Sequence, residues 1–167
     1  MRAGALDWLF PPRCAGCGQL GDHWCTNCRL STLPFVEPVC AKCGLPLATP
    51  NAECSACSQH VFAFVSARSA APYVGVLRQA ILKLKHRRNT ALGEELARGL
   101  VEILRLQNWN IDVIVPIPLA PARLSERGFN QVQLLAIPLA QRVKLPVLST
   151  ALKRSQDTAH QIGRAHV

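Results

Sequence analysis

Apolar residues are sparse and irregular up to about residue 60 and periodic after it, and the periodic part predicts a succession of elements. Val61 to Arg68 alternates and is rich in Val and Phe, the pattern of a strand. Pro72 then precedes a stretch in which Val74, Leu77, Ile81 and Leu84 fall on one side of a helix. Leu92, Leu96, Leu100, Ile103 and Leu104 mark a second helix, which Asn108-Trp109-Asn110 ends. Ile111 to Pro118 is a short apolar run of the kind buried in parallel sheets. A basic loop from Arg123 to Phe129 leads into a helix from about Asn130 to Val143, where Pro138 predicts a kink or a shifted start. Lys144 to Leu148 begins another strand. This rhythm is that of an open α/β sheet, whose ligands bind beyond the carboxyl ends of the strands. The loop from Pro116 to Phe129 would occupy that place.

The first 60 residues carry a different signal. All eight cysteines lie there, as four Cys-x-x-Cys pairs: Cys14/Cys17, Cys25/Cys28, Cys40/Cys43 and Cys54/Cys57. The spacing C-x2-C-x7-C-x2-C, then C-x2-C-x10-C-x2-C, suits two tandem zinc ribbons with four sulfur ligands each. A closed sulfur shell implies structural rather than catalytic metal, because catalytic zinc keeps a position for water. Gly16, Gly18 and Gly44 allow sharp turns around the ions, and a segment this poor in large apolar residues needs metal to fold. Sequential pairing of the four motifs is the simplest arrangement; an interleaved one satisfies the same chemistry. His23 and His60 read as ordinary polar residues, since the cysteines already match. A disulfide framework would need an oxidising compartment, and Met1 to Phe10 does not read as a secretory signal. No run of 18 apolar residues exists to span a membrane. A cytoplasmic location follows as the expectation.

The formal charge of +9 points to an acidic partner, and its placement narrows where. Residues 1–60 hold four basic and four acidic groups, and two zinc ions with eight thiolates would take that segment to about −4. The fifteen basic and six acidic groups after residue 60 carry all of the excess. Their densest cluster is Lys83, Lys85, Arg87 and Arg88, read either as a solvated helix face or as a nucleic-acid patch. With aromatics at 5% and only Tyr73 near this cluster, base stacking of the single-strand-binding kind is poorly supported.

Several of these pieces coincide in one known family. Leu9-Phe10-Pro11-Pro12-Arg13-Cys14 with the four cysteine pairs, Leu82-Lys83-Leu84-Lys85, Val115-Pro116-Ile117-Pro118-Leu119, Arg127-Gly128-Phe129-Asn130-Gln131, and Arg154 with Thr158 and Gln161 resemble the ComF family of bacterial competence-associated proteins. The resemblance runs from Leu9 to Gln161. It implies a double zinc ribbon over 1–60, with two structural zinc ions, followed over 61–167 by the N-terminal portion of a type I phosphoribosyltransferase-like domain built on an open parallel sheet. It also implies binding of phosphoribosyl pyrophosphate or a related phosphate, with magnesium accompanying it in the full-length protein. The implied role is in taking up external DNA during transformation, with single-stranded DNA and the uptake machinery as partners. Pro116, Ile117, Pro118, Arg123 and Arg127 would face the pyrophosphate, and Lys83, Lys85, Arg87 and Arg88 would meet DNA. The plainer readings are that Pro116 and Pro118 only stiffen the turn and that Arg127 pairs with Glu126 or closes a helix.

One departure bears on activity. Type I phosphoribosyltransferases carry a strand ending in two acids and a Thr-Thr-Gly-type loop that cradles the 5′-phosphate, and nothing here fits that pattern. Asp157 is a lone acid, and no general base can be named. Ile162 to Val167 matches the translation of a sequencing adapter, so the sequence predicts a fragment with a non-native tail. Such a fragment should hold its zinc module, be poorly stable beyond about residue 110, and bind phosphoribosyl pyrophosphate weakly. A non-enzymatic zinc-ribbon adaptor for nucleic acid or protein is the alternative function.

Overall fold

A computed structural model describes residues 11–32, 37–86 and 89–155. Arg87, Arg88, Asp157, Thr158, Gln161 and the tail from Ile162 lie outside the described residues. Among the described residues six helices follow in chain order: α1 (Thr26–Leu30), α2 (Ser55–Gln59), α3 (Gly75–His86), α4 (Leu92–Gln107), α5 (Pro121–Arg127) and α6 (Gln131–Val143).

The N-terminal part is built twice from one plan. Each half starts with a Cys-x-x-Cys turn closed by a single antiparallel bridge, Arg13 with Leu20 and Val39 with Pro46. Gly18 and Gly44 take left-handed φ values of 83° and 75° to turn the chain away from the second sulfur. Each half ends in one helical turn, α1 or α2, with Cys25 or Cys54 as its N-terminal flanking residue.

The long helices pack through small residues. Helix α4 buries Leu92, Gly93, Ala97 and Val101, and α6 buries Ala136, Leu139 and Ala140. Pro138 neither shortens α6 nor delays its start, contrary to the second expectation above. It has no N–H to offer the carbonyl of Leu134. Gly93 of α4 lies directly over that carbonyl, so close that a Cβ there would stand 2.6 Å from the oxygen. The proline-freed carbonyl and the glycine thus fit one another at the α4–α6 crossing. Arg142 to Glu94, at 3.0 Å, ties the same pair of helices at the surface. Lys144 and Asn108, both with positive φ, close α6 and α4.

Two buried clusters result. One gathers Cys14, Ala15, Trp24, Cys25 and Cys28 with Ala80, Leu84 and Leu92, so the first ribbon and helices α3 and α4 share a core. The other gathers Ala97, Val101 and Leu139, flanked by Leu104, Ile114 and Val143. On α3 the buried face runs through Ala80 and Leu84, with Val76 against the ribbon, while Val74 precedes the helix and is exposed.

Strand pairing is far thinner than the sequence predicts. Among the described residues the parallel pairing is one bridge, Ile114 with Val147. Ile114 N–H donates to the Pro146 carbonyl at 2.9 Å, and Leu148 N–H to the Ile114 carbonyl at 3.0 Å. Val61–Arg68 forms no strand. Parallel strands are stable when the sheet is covered on both faces, and Ile111–Pro118 has one bridged partner and an exposed outer residue. That residue, Ile117, is 63% exposed. No helix among the described residues is long and apolar enough to cross a membrane.

Candidate functional site

The sulfurs form two groups, Cys14, Cys17, Cys25 and Cys28, and Cys40, Cys43, Cys54 and Cys57, with all ligand atoms in each within 4.8 Å of one another. The grouping is sequential, not interleaved, and His23 and His60 belong to neither group. Cys17 to Cys25 measures 3.7 Å, Cys40 to Cys57 3.7 Å, and Cys43 to Cys54 3.5 Å. A tetrahedron with zinc–sulfur bonds of about 2.3 Å has edges of about 3.8 Å, whereas a disulfide would bring two sulfurs to about 2 Å. Both groups therefore fit a zinc ion, and all eight cysteines are free thiols.

Backbone amides prepare one thiolate in each group. Burial alone would raise the Cys14 thiol, but the amides of Cys17, Cys25 and Gly16 turn toward its sulfur and bring it down to about 6. The amides of Cys43 and Lys42 bring Cys40 down to about 6 as well. Burial, reinforced by the neighbouring sulfurs, pushes Cys57 up to about 12 and Cys28 well above the ordinary thiol range. A cation that satisfies all four sulfurs removes this conflict, as expected of a structural site.

The loop after Ile114 is organised by its own polar residues. Pro116 is buried, Pro118 half-buried, and Ile117 points its carbonyl to Asn130 Nδ2, which donates to it at 3.0 Å. Asn130 Oδ1 accepts from Val132 N–H at 3.0 Å, so one side chain both caps α6 and clasps the strand end. Pro121 opens α5, and Gly128, with φ 79°, closes it. Arg123 lies half-buried within α5. Arg127 ends α5 and donates through Nη1 to Gln131 Oε1 at 3.0 Å. It makes no ion pair with Glu126, so the helix-closing reading holds and the salt-bridge reading does not.

Lys85 comes to the same place. Burial, with the charge of Arg127 beside it, holds its ammonium below the ordinary lysine range. Lys85 and Gln131 line a cleft of about 500 Å³ whose walls are mainly apolar, among them Leu84, Leu96, Leu135 and Leu139. Arg68 closes its rim. Neither Lys85 nor Arg127 makes an ion pair with a carboxylate among the described residues. Lys83 is two residues from Lys85, about 200° around the helix, and takes no part. Arg87 and Arg88 of the same basic cluster lie outside the described residues.

The comparisons with known proteins agree with this arrangement. Residues 5–59 match the double zinc ribbon domain. The chain is 32% identical over 147 residues to the DNA utilization protein YhgH of Salmonella typhimurium, covering 84% of this chain and 64% of that protein. The Escherichia coli K12 protein of the same name is 32% identical over 83% of the chain and 64% of its own length. Competence protein F of Haemophilus influenzae is 27% identical over 93% of the chain and 71% of its length. The chain belongs to the ComF family. No solved structure matches it significantly.

This ComF-family chain therefore spans about two thirds of the length of the DNA utilization proteins it matches. The sequence missed Gln131 as the partner of Arg127, and Arg68 at the cleft rim. Asn130 was legible as a helix cap, being a short polar residue ahead of an apolar run; its second bond to Ile117 was not.

Proposed function

We propose that this chain is a DNA-utilisation protein of the ComF family, linked to DNA uptake, whose C-terminal half binds phosphoribosyl pyrophosphate or a related phosphate. The observation that carries the reading is Lys85 lining an apolar cleft with Gln131, which accepts from Arg127, while the neighbouring Asn130 clasps the Ile117 carbonyl of the Pro116–Pro118 turn. Arg123, Arg127 and Lys85 take the pyrophosphate, with the turn at Pro116, Ile117 and Pro118 forming the wall of the site. The single parallel bridge between Ile114 and Val147, with α5 and α6 between its partners, supports the crossover of an open phosphoribosyltransferase-like sheet. The division into a zinc module over 1–60 and this domain over 61–167 goes with that reading, as does a reducing cytoplasm for eight free thiols. Magnesium stays a proposal for the full-length protein; the metal-binding groups among the described residues are all sulfur. Lys83, Arg87 and Arg88 remain as contacts for the backbone of single-stranded DNA.

Calorimetric titration of the zinc-loaded chain tests the phosphate site. Inorganic pyrophosphate and phosphoribosyl pyrophosphate should bind weakly, on the order of 1 mM. Arg127→Ala or Lys85→Ala should abolish the heat. Because Lys85 is held low, it sheds its proton earlier than an ordinary lysine, so binding should fade as pH rises toward that range. Unchanged heats in both variants would defeat the site. For DNA, reversing the charge at Lys83, Arg87 and Arg88 should flatten the dependence of affinity on salt. DNA binding without any pyrophosphate binding would favour the adaptor reading.

A further inference from the structure

An aromatic cluster on the second ribbon has no part in the phosphate site. His60, Phe62 and Phe64 follow α2 at alternate positions. The Phe62 and Phe64 rings stack, 4.9 Å between centroids and 21° between planes, and His60 tilts against Phe62 at 6.2 Å. Lys42 Nζ stands 5.5 Å from the Phe64 ring centre. Neither phenylalanine belongs to a buried cluster. Phe64 is 40% exposed, and its neighbours Val61 and Val65 are almost fully exposed.

The rings are held in place from below. Ala67 N–H donates to the Lys42 carbonyl at 2.8 Å, Ser66 Oγ to the Ala41 carbonyl at 2.9 Å, and Arg68 Nη1 to the Ala41 carbonyl at 3.0 Å. Three consecutive residues are thus fastened to the metal-binding turn just beyond Phe64. The fixed turn that positions the Cys40 and Cys43 sulfurs also sets Lys42 over the ring.

We propose that His60, Phe62 and Phe64, with Lys42 beside them, form a stacking platform for the bases of single-stranded nucleic acid. The proposal deepens the DNA part of the proposed function and rests on it, but uses none of the residues assigned to phosphate. Every base offers a π-face to an exposed ring, and the Lys42 ammonium over the Phe64 ring meets the phosphate that follows the base. An apolar protein partner fits less well, since lysine is depleted at the centre of protein interfaces. The surrounding zinc module has no excess positive charge. Ring faces, not long-range attraction, must therefore supply the grip here.

The zinc-loaded chain is titrated with fluorescein-labelled oligothymidine and with an abasic strand of equal length. Phe62→Ala and Phe64→Ala should each weaken oligothymidine binding by roughly 5- to 100-fold and leave the abasic strand unaffected. Phe64→Trp should preserve affinity, and its added fluorescence should be quenched by oligothymidine and not by the abasic strand. Equal affinity in the ring variants overturns the platform, as does an equal loss for both strands. If oligothymidine binds and responds only to charge reversal on α3, the backbone reading stands and the platform falls. If neither strand binds, the platform and the DNA reading fall together. A Phe64→Trp signal that answers an apolar peptide but no strand also overturns it, in favour of a protein-docking role. Loss of pyrophosphate binding alone would break the phosphate site and leave the platform intact.

Discussion

The two zinc ribbons are nearly the same object in two different settings. Both place a Cys-x-x-Cys turn opposite one helical turn, both lower one thiol through backbone amides, and both close with a left-handed glycine. Their surroundings differ. Cys14, Cys25 and Cys28 of the first are buried in a core they share with Ala80, Leu84 and Leu92. In the second only Cys40 is buried, and the attachment is a set of hydrogen bonds to Ser66, Ala67 and Arg68. Identical coordination chemistry can therefore serve as the centre of a domain or as a rigid appendage. Packing around the metal decides which.

The sharpest way to break this comparison is to remove one sulfur from each site. Metal ligation in small modules supplies on the order of 10 kcal/mol, comparable to or larger than the whole stability of an ordinary domain. Cys28→Ser should cost the first ion and with it the shared core, so helical circular dichroism and cooperative unfolding should collapse. Cys57→Ser should cost one zinc equivalent by metal analysis and leave most of the helical signal. Similar loss of helix in both variants would mean that the second ribbon is also part of the core.

Glycine substitutions probe the same difference more gently. A Cβ on Gly16 would stand 2.6 Å from Cys28 Sγ and 3.0 Å from Val76 Cβ, so Gly16→Ala pushes the ribbon off α3. A Cβ on Gly44 would stand 2.6 Å from the Ala67 carbonyl, at a φ of 75° that strains any side chain. Each should cost about 1–3 kcal/mol locally. Gly16→Ala should appear in global denaturant unfolding, and Gly44→Ala mainly in faster amide exchange within residues 38–60. Arg68→Ala should act like Gly44→Ala, because it removes one of two donors from each of the Cys40 and Ala41 carbonyls, leaving Gly44 N–H and Ser66 Oγ. A loss of about 1–2 kcal/mol in local protection is expected.

How much of this was legible in the sequence follows the range of each interaction. The metal groups were legible because every ligand pair is a local turn. The long helices α3, α4 and α6 were legible because their apolar spacing needs no partner to be recognised, whereas α5 (Pro121–Arg127), which buries no residue, was read as a basic loop from Arg123 to Phe129. Strands need one, and Val61–Arg68 and Ile111–Pro118 carried the right composition without the neighbours that make a sheet. Pro138 looked like a breaker because the compensating residue, Gly93, lies on another helix. At the candidate site, Arg127 and the Pro116–Pro118 turn were recognised through family resemblance. Lys85 and Lys83, adjacent in the basic run, stand about 200° apart around α3, a separation that reading along the sequence does not display. Nothing in the spacing x7 against x10 tells which ribbon is buried.

The smallest expected effect lies at the one ion pair between the first ribbon and the helices. Arg29 Nη2 reaches Glu95 at 2.8 Å and also the Trp24 carbonyl at 3.4 Å. Arg29 is 45% exposed and Glu95 11%, so the pair is partly screened by water. Arg29→Ala should lower stability by only about 0.5–1 kcal/mol, less at high salt. Arg98 still approaches Glu95 at 3.6 Å, so the carboxylate is not left without a cation. A double-mutant cycle with Glu95→Gln should return a coupling no larger than the single loss. A coupling of about 3 kcal/mol or more would mean that charge, not the buried cysteines, Trp24 and Leu84, fastens the first ribbon. The contrast between the two ribbons would then be one of salt bridges rather than of cores.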